Sequence, residues 1–287
     1  MSIAVVTGSS TGIGQATAVC LARAGHTVYA TMRNPEKGGD EIRAIASKEQ
    51  LPLRPAQMDV DSDASVSDEL SRIIEEAGGI DILVNNAGIG NAGAVEELSL
   101  AEFRATMETN FFGALRCIQA VVPGMRERGS GCIVNVSSVS GKIAIAPQAA
   151  YSSSKFALES LSECLAQEMK SFNVRVVLVE PGIIATHIID KVTKQTPDTK
   201  YPHSRRMAEL FRASLENPVS PYVVGDKICD IVDSGTWKLR HAIGPDAAGF
   251  LGWRASMTDE QWVEWGALTD EQWVAYVREN FKLNVSL

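Results

Sequence analysis

The chain alternates short apolar runs, which suit buried strands, with longer stretches of helical pattern. The seven apolar runs span residues 3–6, 28–32, 53–60, 80–85, 131–137, 174–180 and 241–244. The helical patterns occupy residues 13–24, 41–48, 64–77, 100–128, 148–172 and 219–233. In a doubly wound α/β fold, helices cover both faces of a parallel sheet through right-handed connections, and their strands and helices alternate in this way. We therefore predict a seven-stranded, doubly wound parallel sheet in a three-layer α/β domain.

Two regions depart from this alternation. Residues 184–218 contain three prolines and a polar stretch between the sixth strand and the last helix, which is where a lid over a site would lie. The tail from Gly252 contains four of the five tryptophans. We predict one catalytic domain over residues 1–250, including the 184–218 segment, and a short helical extension over residues 251–287.

The tail contains the same hexapeptide twice, beginning at Thr258 and at Thr269. In each copy the Thr can cap a helix, two acids follow in the first turn, and a Gln completes a capping box. This predicts two short helices with a break at Gly266, although one continuous helix would place Trp262 and Trp273 on one face. The apolar side chains of the tail must be buried against something. Its own domain, the substrate entrance and a neighbouring subunit all stay open as partners.

A glycine-rich loop, Thr-Gly-Ser-Ser-Thr-Gly-Ile-Gly at residues 7–14, follows the first strand and precedes a helical pattern. Glycines let the backbone turn sharply and approach a pyrophosphate, whose charge the N–H groups and dipole of a helix N-terminus stabilise. The position after the first strand favours a dinucleotide site over a plain tight turn. The candidate cofactor contacts are Gly8, Ser10, Thr11, Gly12, Ile13 and Gly14.

The end of the second strand bears on the choice between NAD and NADP. A carboxylate about 20 residues past the glycines would bind the ribose 2'-hydroxyl, but this strand ends in Met32 and Arg33, and the next acid is Glu36. The Arg33 guanidinium can pair with a 2'-phosphate, so the sequence favours NADP, with NAD as the alternative and simple solvation of the strand end as another role for Arg33. Asp59 and Val60, after the third strand, are candidate adenine contacts, and Asp59 could equally cap a helix.

The composition excludes several other functions. A net charge of −8 and a pI of about 5.2 argue against binding to nucleic acid phosphates or anionic lipid. No segment approaches the roughly 18 consecutive apolar residues of a membrane helix, and the N-terminus lacks a basic region. The five cysteines and four histidines show no disulfide or metal-ligand spacing. We expect a cytoplasmic protein with no metal, no nucleic-acid partner and no membrane span.

Further motifs follow in a fixed order: Asn-Asn-Ala-Gly at residues 85–88, Asn110, Ser138, Tyr151-Ser-Ser-Ser-Lys155 and Pro181-Gly182. With these motifs the chain resembles the short-chain dehydrogenase/reductase family over roughly residues 1 to 250, and this resemblance implies a Rossmann-like fold. The wording around Tyr151 is most similar to hydroxysteroid and retinol dehydrogenases.

The spacing of Tyr151 and Lys155 places both on one helical face, so the ammonium can favour the phenolate and Tyr151 can exchange the substrate proton. The resemblance implies that Ser138 binds the reacting oxygen, that Lys155 holds the nicotinamide ribose and that Asn110 positions a relay water. It also implies further cofactor contacts at Asn86, Ala87, Gly88, Pro181, Gly182, Ile184 and Thr186. His187 could reach the substrate or be solvated at the surface.

These features together predict an NADP-preferring oxidoreductase that interconverts a secondary alcohol and a ketone, or an alcohol and an aldehyde, on a largely apolar substrate. The substrate pocket is expected between residues 140–148, Tyr151 and the 184–218 segment. The alternatives are an NAD-linked dehydrogenase of the same fold, a sugar-nucleotide epimerase or dehydratase, and a non-catalytic dinucleotide sensor. The resemblance further implies a homodimer or homotetramer that pairs through the helices at residues 100–128 and 148–172.

Overall fold

A seven-stranded, wholly parallel sheet forms the centre of the computed structural model, which describes residues 2–189 and 199–287. The strand order is β3-β2-β1-β4-β5-β6-β7. The strands are β1 (Ile3–Val6), β2 (Thr27–Met32), β3 (Leu53–Gln57), β4 (Ile82–Asn85), β5 (Gly131–Val136), β6 (Val174–Pro181) and β7 (Arg240–Ile243). The predicted doubly wound α/β fold is confirmed.

Helices cover both faces of this sheet, and further helices lie beyond it. The α-helices in the described ranges are α1 (Gly12–Arg23), α2 (Pro35–Gly38), α3 (Asp40–Glu49), α4 (Asp63–Ala77), α5 (Leu100–Met107), α6 (Gly113–Arg128), α7 (Ala149–Lys170), α8 (His203–Ser214), α9 (Pro221–Ser234), α10 (Ala247–Ala255), α11 (Asp259–Gly266) and α12 (Asp270–Phe281). One buried apolar cluster joins α1 and α9 to the sheet, and a second joins α4, α6 and α7 to the other face. The near-continuous apolar strands are therefore buried on both sides, as a parallel sheet requires.

Two elements differ from their predicted bounds: one strand ends earlier and one helix is divided. The strand predicted over residues 53–60 ends at Gln57, which pairs with Met32, the last residue of β2, so the chain beyond has no neighbouring strand. The single helix predicted over residues 100–128 is divided, because a π-helix, Glu108–Phe112, separates α5 from α6. A π-bulge of this kind inserts one extra residue into an α-helix and is frequently found at functional sites.

The extension beyond β7 folds as three helices, α10 to α12. Both predicted capping boxes are present: Thr258 and Thr269 each accept from the backbone N–H three residues later, and the Gln side chain there accepts from the Thr backbone. The predicted break also occurs, because α11 ends at Gly266. Within the two described ranges, no helix has the length and apolarity needed to cross a bilayer.

Candidate active site

One cavity of about 420 Å³ opens at the carboxyl ends of the strands. The strand order reverses between β1 and β4, and ligands of open α/β sheets bind at such a switch point. The predicted cofactor residues that line this cavity are Gly8, Ser10, Thr11, Gly12, Ile13, Arg33, Asp59, Val60, Asn86, Ala87, Gly88, Tyr151, Lys155, Pro181, Gly182, Ile184 and Thr186. Residues from loops far apart in the sequence thus meet at one edge of the sheet.

The glycine loop has no room for side chains at its turns. Gly8 has a φ of +66°, and a Cβ there would lie 2.7 Å from the Cα of Ala87. Gly12 has a φ of +62°, and its Cβ would approach the Thr186 methyl group to 3.2 Å. Left-handed backbone and close approach both favour glycine, so the loop presents bare backbone to the cavity.

Gly14, which the sequence suggested as a cofactor contact, packs behind the loop and is not among the residues that line the cavity. A Cβ on Gly14 would lie 2.3 Å from the Asn86 side-chain nitrogen. That nitrogen donates to the backbone oxygens of Thr7 (2.9 Å) and Gly8 (3.2 Å). Asn86 therefore ties the loop after β4 to the glycine loop, and Gly14 leaves the space for this contact.

At the end of β2, the exposed Arg33 lines the cavity and makes no hydrogen bond or ion pair with the residues that the structure describes. The acids that line the cavity in the described ranges are Asp59 and Asp61, which follow β3. The Asp59 carboxylate accepts from the backbone N–H of Asp61 at 3.2 Å. Ser62, not Asp59, is the N-cap of α4. Arg33 is thus an unpaired cation beside the loop that would hold the adenosine.

Tyr151, Ser138 and Lys155 come together in the same cavity as the glycine loop. Tyr151 and Lys155 lie in the first two turns of α7, and the Lys155 nitrogen is 5.7 Å from the centre of the Tyr151 ring. The same nitrogen donates to the backbone oxygen of Val136 at 2.8 Å. Ser138 follows β5, and its hydroxyl oxygen accepts from the backbone N–H of Ser140 at 3.1 Å. The hydroxyl proton of Ser138 is directed to the Tyr151 side chain, with which Ser138 also hydrogen-bonds.

Burial dominates the electrostatics of this group. It raises the pKa of Tyr151, and the hydrogen bond with the Ser138 side chain opposes that shift. Burial also lowers the pKa of Lys155 from its ordinary 10.5 to about 8, against a smaller opposing effect of the Glu159 carboxylate. Lys155 is only 4% exposed. A buried amine with a pKa this close to neutrality can gain or lose a proton at physiological pH.

Asn110 lies in the π-helix and is 1% exposed, and it is not among the residues that line the cavity. Its carbonyl oxygen accepts from the backbone N–H of Ile89 at 2.8 Å, and its amide nitrogen donates to the Ile89 oxygen and to the Ser154 hydroxyl. Ser154 in turn donates to the backbone oxygen of Tyr151 at 2.7 Å. Asn110 thus links the segment after β4 to the backbone of the tyrosine.

The wall after β6 is supported from behind by Asp246, a residue that the sequence did not indicate. Its carboxylate accepts from the backbone N–H of Ile183 at 2.8 Å. A Cβ on Gly182 would lie 2.0 Å from the Asp246 carboxylate. The turn at Pro181 and Gly182 is therefore held in place by the residue at the start of α10.

The remaining part of the cavity, which we call the substrate end, is mainly apolar and aromatic. The predicted boundary at residues 140–148 contributes Ser140, Ile143, Ile145, Ala146 and Gln148 to its lining. From the 184–218 segment, His187, Ile188, Ile189, His203, Arg206, Met207, Leu210 and Phe211 line it, and residues 190–198 lie outside the described residues. His187 is exposed.

The C-terminal extension supplies the rest of the substrate end, through Phe250, Trp253, Trp265, Trp273, Val277 and Phe281. Trp273 and Val277 are at the same time buried against Ala213 of α8. The extension therefore packs on its own domain and forms part of the cavity. The sequence signal for this was the duplicated, tryptophan-rich hexapeptide, but only the fold brings that hexapeptide to the cavity.

Comparisons with known proteins identify the family of this chain. The short chain dehydrogenase family matches residues 2–197. The chain is 36% identical over 249 residues to a 3-ketodihydrosphingosine reductase of Bacteroides thetaiotaomicron, covering 85% of this chain and 88% of that protein.

The chain therefore belongs to the short-chain dehydrogenase family.

Other relatives are consistent with this family. Human retinol dehydrogenase 8 is 43% identical over 203 residues, which cover 69% of this chain but only 64% of that protein. A crystal structure of a short-chain dehydrogenase from Streptomyces avermitilis superposes with a TM-score of 0.78 at 32% identity, covering 92% of this chain and 95% of the other. The predicted family is confirmed, and the protein is an NAD(P)-dependent dehydrogenase or reductase.

Proposed function

We propose that this short-chain dehydrogenase interconverts a secondary alcohol and a ketone on a largely apolar substrate, with NADP as its preferred cofactor and Tyr151 as general acid and base. The observation that carries the proposal is the single cavity that joins the glycine loop, Tyr151 and an aromatic substrate end. In this arrangement a substrate carbonyl can lie beside both the phenol and the nicotinamide position.

The glycine loop fits a dinucleotide. Gly8 and Gly12 leave bare backbone where a pyrophosphate would approach the N-terminus of α1, and α1 has no acid in its first turn to repel it. Asn86 holds the loop in this form through its two hydrogen bonds to backbone oxygens. When bound, the nicotinamide supplies or accepts the hydride.

The preference for NADP is supported by the charge at the end of β2. Arg33 lines the cavity without an ion-pair partner in the described ranges, and the acids that line the cavity follow β3 rather than β2. A guanidinium binds a phosphate through paired charge-assisted hydrogen bonds. Arg33 would therefore contribute more binding free energy to a cofactor with a ribose 2'-phosphate than to one with a 2'-hydroxyl.

The proton chemistry is assigned to Tyr151, with Ser138 and Lys155 in supporting roles. Ser138 can turn its hydroxyl proton from Tyr151 to the reacting oxygen of a bound substrate, while its own oxygen still accepts from Ser140. The Lys155 ammonium, when protonated, stabilises negative charge on the phenol oxygen and so counteracts the burial that raises the pKa of Tyr151. Asn110 acts through Ser154 as a positioning residue for the tyrosine backbone.

The substrate class is supported by the lining of the substrate end. Six aromatic side chains of the extension and of α8 line it, together with Met207 and Leu210. Such a surface favours apolar ligands with a few polar groups. The names of two relatives, a 3-ketodihydrosphingosine reductase and a retinol dehydrogenase, agree with carbonyl and alcohol chemistry.

The test is Tyr151→Phe, assayed by absorbance of the reduced nicotinamide against a panel of apolar ketones and alcohols. We expect turnover to fall by at least about two orders of magnitude, with NADP affinity nearly unchanged, because only the proton-transferring hydroxyl is lost. Tyr222→Phe is the matched control, since Tyr222 lies on α9 and does not line the cavity. Turnover within tenfold of the wild type would contradict the assignment.

We also propose a homo-oligomer that pairs through α5, α6 and α7. Phe112, the last residue of the π-helix, and Phe156, on α7, are each more than 40% exposed. Large exposed apolar side chains on adjacent helices suit a contact with a second copy. Light scattering across micromolar concentrations should give a multiple of 30.9 kDa, and a monomer mass at every concentration would contradict the proposal.

A further inference from the structure

A buried cation lies in the substrate end of the cavity. Arg206, on the first turns of α8, is only 5% exposed and lines the cavity together with the aromatic residues of the extension. Charged side chains are almost never buried this far unless they are paired. The proton chemistry assigned to Tyr151, Ser138 and Lys155 leaves Arg206 without a role.

The guanidinium of Arg206 is only partly satisfied by the protein. Its Nε donates to the Asp270 carboxylate at 2.8 Å, and Nη2 donates to the backbone oxygen of Leu268 at 2.7 Å. Its Nη1 has no hydrogen-bond partner in the described ranges, and this atom is not fully enclosed by the protein. Because the residue itself lines the cavity, this remaining nitrogen is open to a ligand in it.

Arg206 shares its carboxylate partner with a second arginine. Asp270 forms ion pairs with both Arg205 and Arg206, so two guanidinium groups share one carboxylate. In the part of the chain that the structure describes, the only acids that line the cavity are Asp59 and Asp61, which follow β3 at the cofactor end. The substrate end therefore combines an apolar wall with a guanidinium whose carboxylate partner is shared with a second arginine.

We propose that Arg206 binds a terminal anionic group, such as a carboxylate, at the end of the substrate remote from the reacting carbon. This inference rests on the function proposed above and narrows its substrate class to apolar ketones or alcohols that carry a distal anion. Nη1 donates to the anion, while Asp270 and Leu268 fix the guanidinium plane. Arg206 is thus a specificity-determining residue, and Asp270 is its positioning residue.

The first measurement compares pairs of substrates on the wild-type enzyme with NADPH. Each pair is a straight-chain keto acid, with the ketone beside the terminal methyl group, and its methyl ester, over a series of chain lengths. At the best length we expect kcat/KM for the acid to exceed that for the ester by about tenfold or more, because a charge-assisted hydrogen bond is lost in the ester. A ratio near one at every length would overturn the inference without any variant.

The second measurement uses Arg206→Met, which keeps an apolar side chain of similar length, with Arg205→Met as the matched control. Arg205 pairs with the same carboxylate but does not line the cavity. We expect Arg206→Met to raise KM for the acid and to leave that for the ester nearly unchanged, whereas Arg205→Met keeps the acid preference. Equal losses for acid and ester, or for both variants, would show a purely structural role and overturn the inference.

Binding is measured separately by calorimetry on the NADP-bound wild type, with a straight-chain carboxylate and the alcohol of the same length. Tighter binding of the carboxylate supports the inference, and equal binding overturns it. This measurement does not depend on turnover. An enzyme that binds the carboxylate but reduces no ketone would contradict the proposed function and leave the anion site standing.

Discussion

Replacing Lys155 with methionine should stabilise the cofactor-free protein at neutral pH. Lys155 is 4% exposed, and burial lowers its pKa from 10.5 to about 8. At about 1.4 kcal/mol per pH unit, holding this ammonium in the folded state costs about 3 kcal/mol. Methionine removes that cost but also loses the hydrogen bond to the Val136 oxygen, worth about 1 kcal/mol. We expect a net gain of about 2 kcal/mol near pH 7.

The gain should depend on pH with a definite sign. Between about pH 8 and 10.5 the unfolded chain binds more protons at Lys155 than the folded chain, so the stability of the wild type rises with pH in this window. Below about pH 8 both states carry the proton, and the folded state bears the full cost of burying it. The advantage of the variant should therefore be largest near neutrality, and toward pH 10.5 it should give way to a deficit of about 1 kcal/mol from the lost hydrogen bond.

Urea unfolding at several pH values, followed by tryptophan fluorescence, measures the difference in unfolding free energy. Lys142→Met is the matched control, because Lys142 is exposed and its replacement should change stability by less than about 0.5 kcal/mol. The reasoning fails if Lys155→Met is no more stable than the wild type near neutral pH, or if its advantage does not shrink as the pH rises. The variant should also lack turnover, so stability and activity are opposed at this residue.

Two further predictions concern the cofactor and the extension. The double variant Met32→Asp, Arg33→Ala should raise the ratio of kcat/KM with NAD to kcat/KM with NADP, because it adds a carboxylate for the ribose hydroxyls and removes the unpaired cation. A wild type that already prefers NAD by more than about tenfold would contradict the role of Arg33. Thr269→Ala should lower the unfolding free energy by about 1 kcal/mol by removing the cap of α12, which buries Trp273. Thr258→Ala, which removes the same cap from α11, should cost less in urea unfolding, since α11 buries none of its residues; equal costs would contradict this account.

Local sequence features were sufficient for the fold class and for the candidate site near the glycine loop. The alternation of apolar runs and helical patterns determines a parallel sheet, because both faces of each strand must be covered. Gly8 and Gly12 were identifiable because left-handed backbone and close approach both favour glycine. Tyr151 and Lys155 were singled out by the ordered motifs that resemble the short-chain dehydrogenase/reductase family, and their spacing places both on one helical face. The capping boxes at Thr258 and Thr269 were also readable, since a cap involves residues only three apart.

Contacts between distant segments were decided only by the tertiary structure. The division of the long helix around Asn110 was not predictable, because the side chain bonds to Ile89, 21 residues away. Asp246 supports the turn at Gly182 by accepting a hydrogen bond from Ile183, which lies 63 residues earlier in the chain. The packing of the extension on α8 brought Trp273 and Arg206 into the cavity, and no local pattern relates these two residues. Local spacing determines which side chains share one element, whereas the burial of one element against another determines which elements form a site.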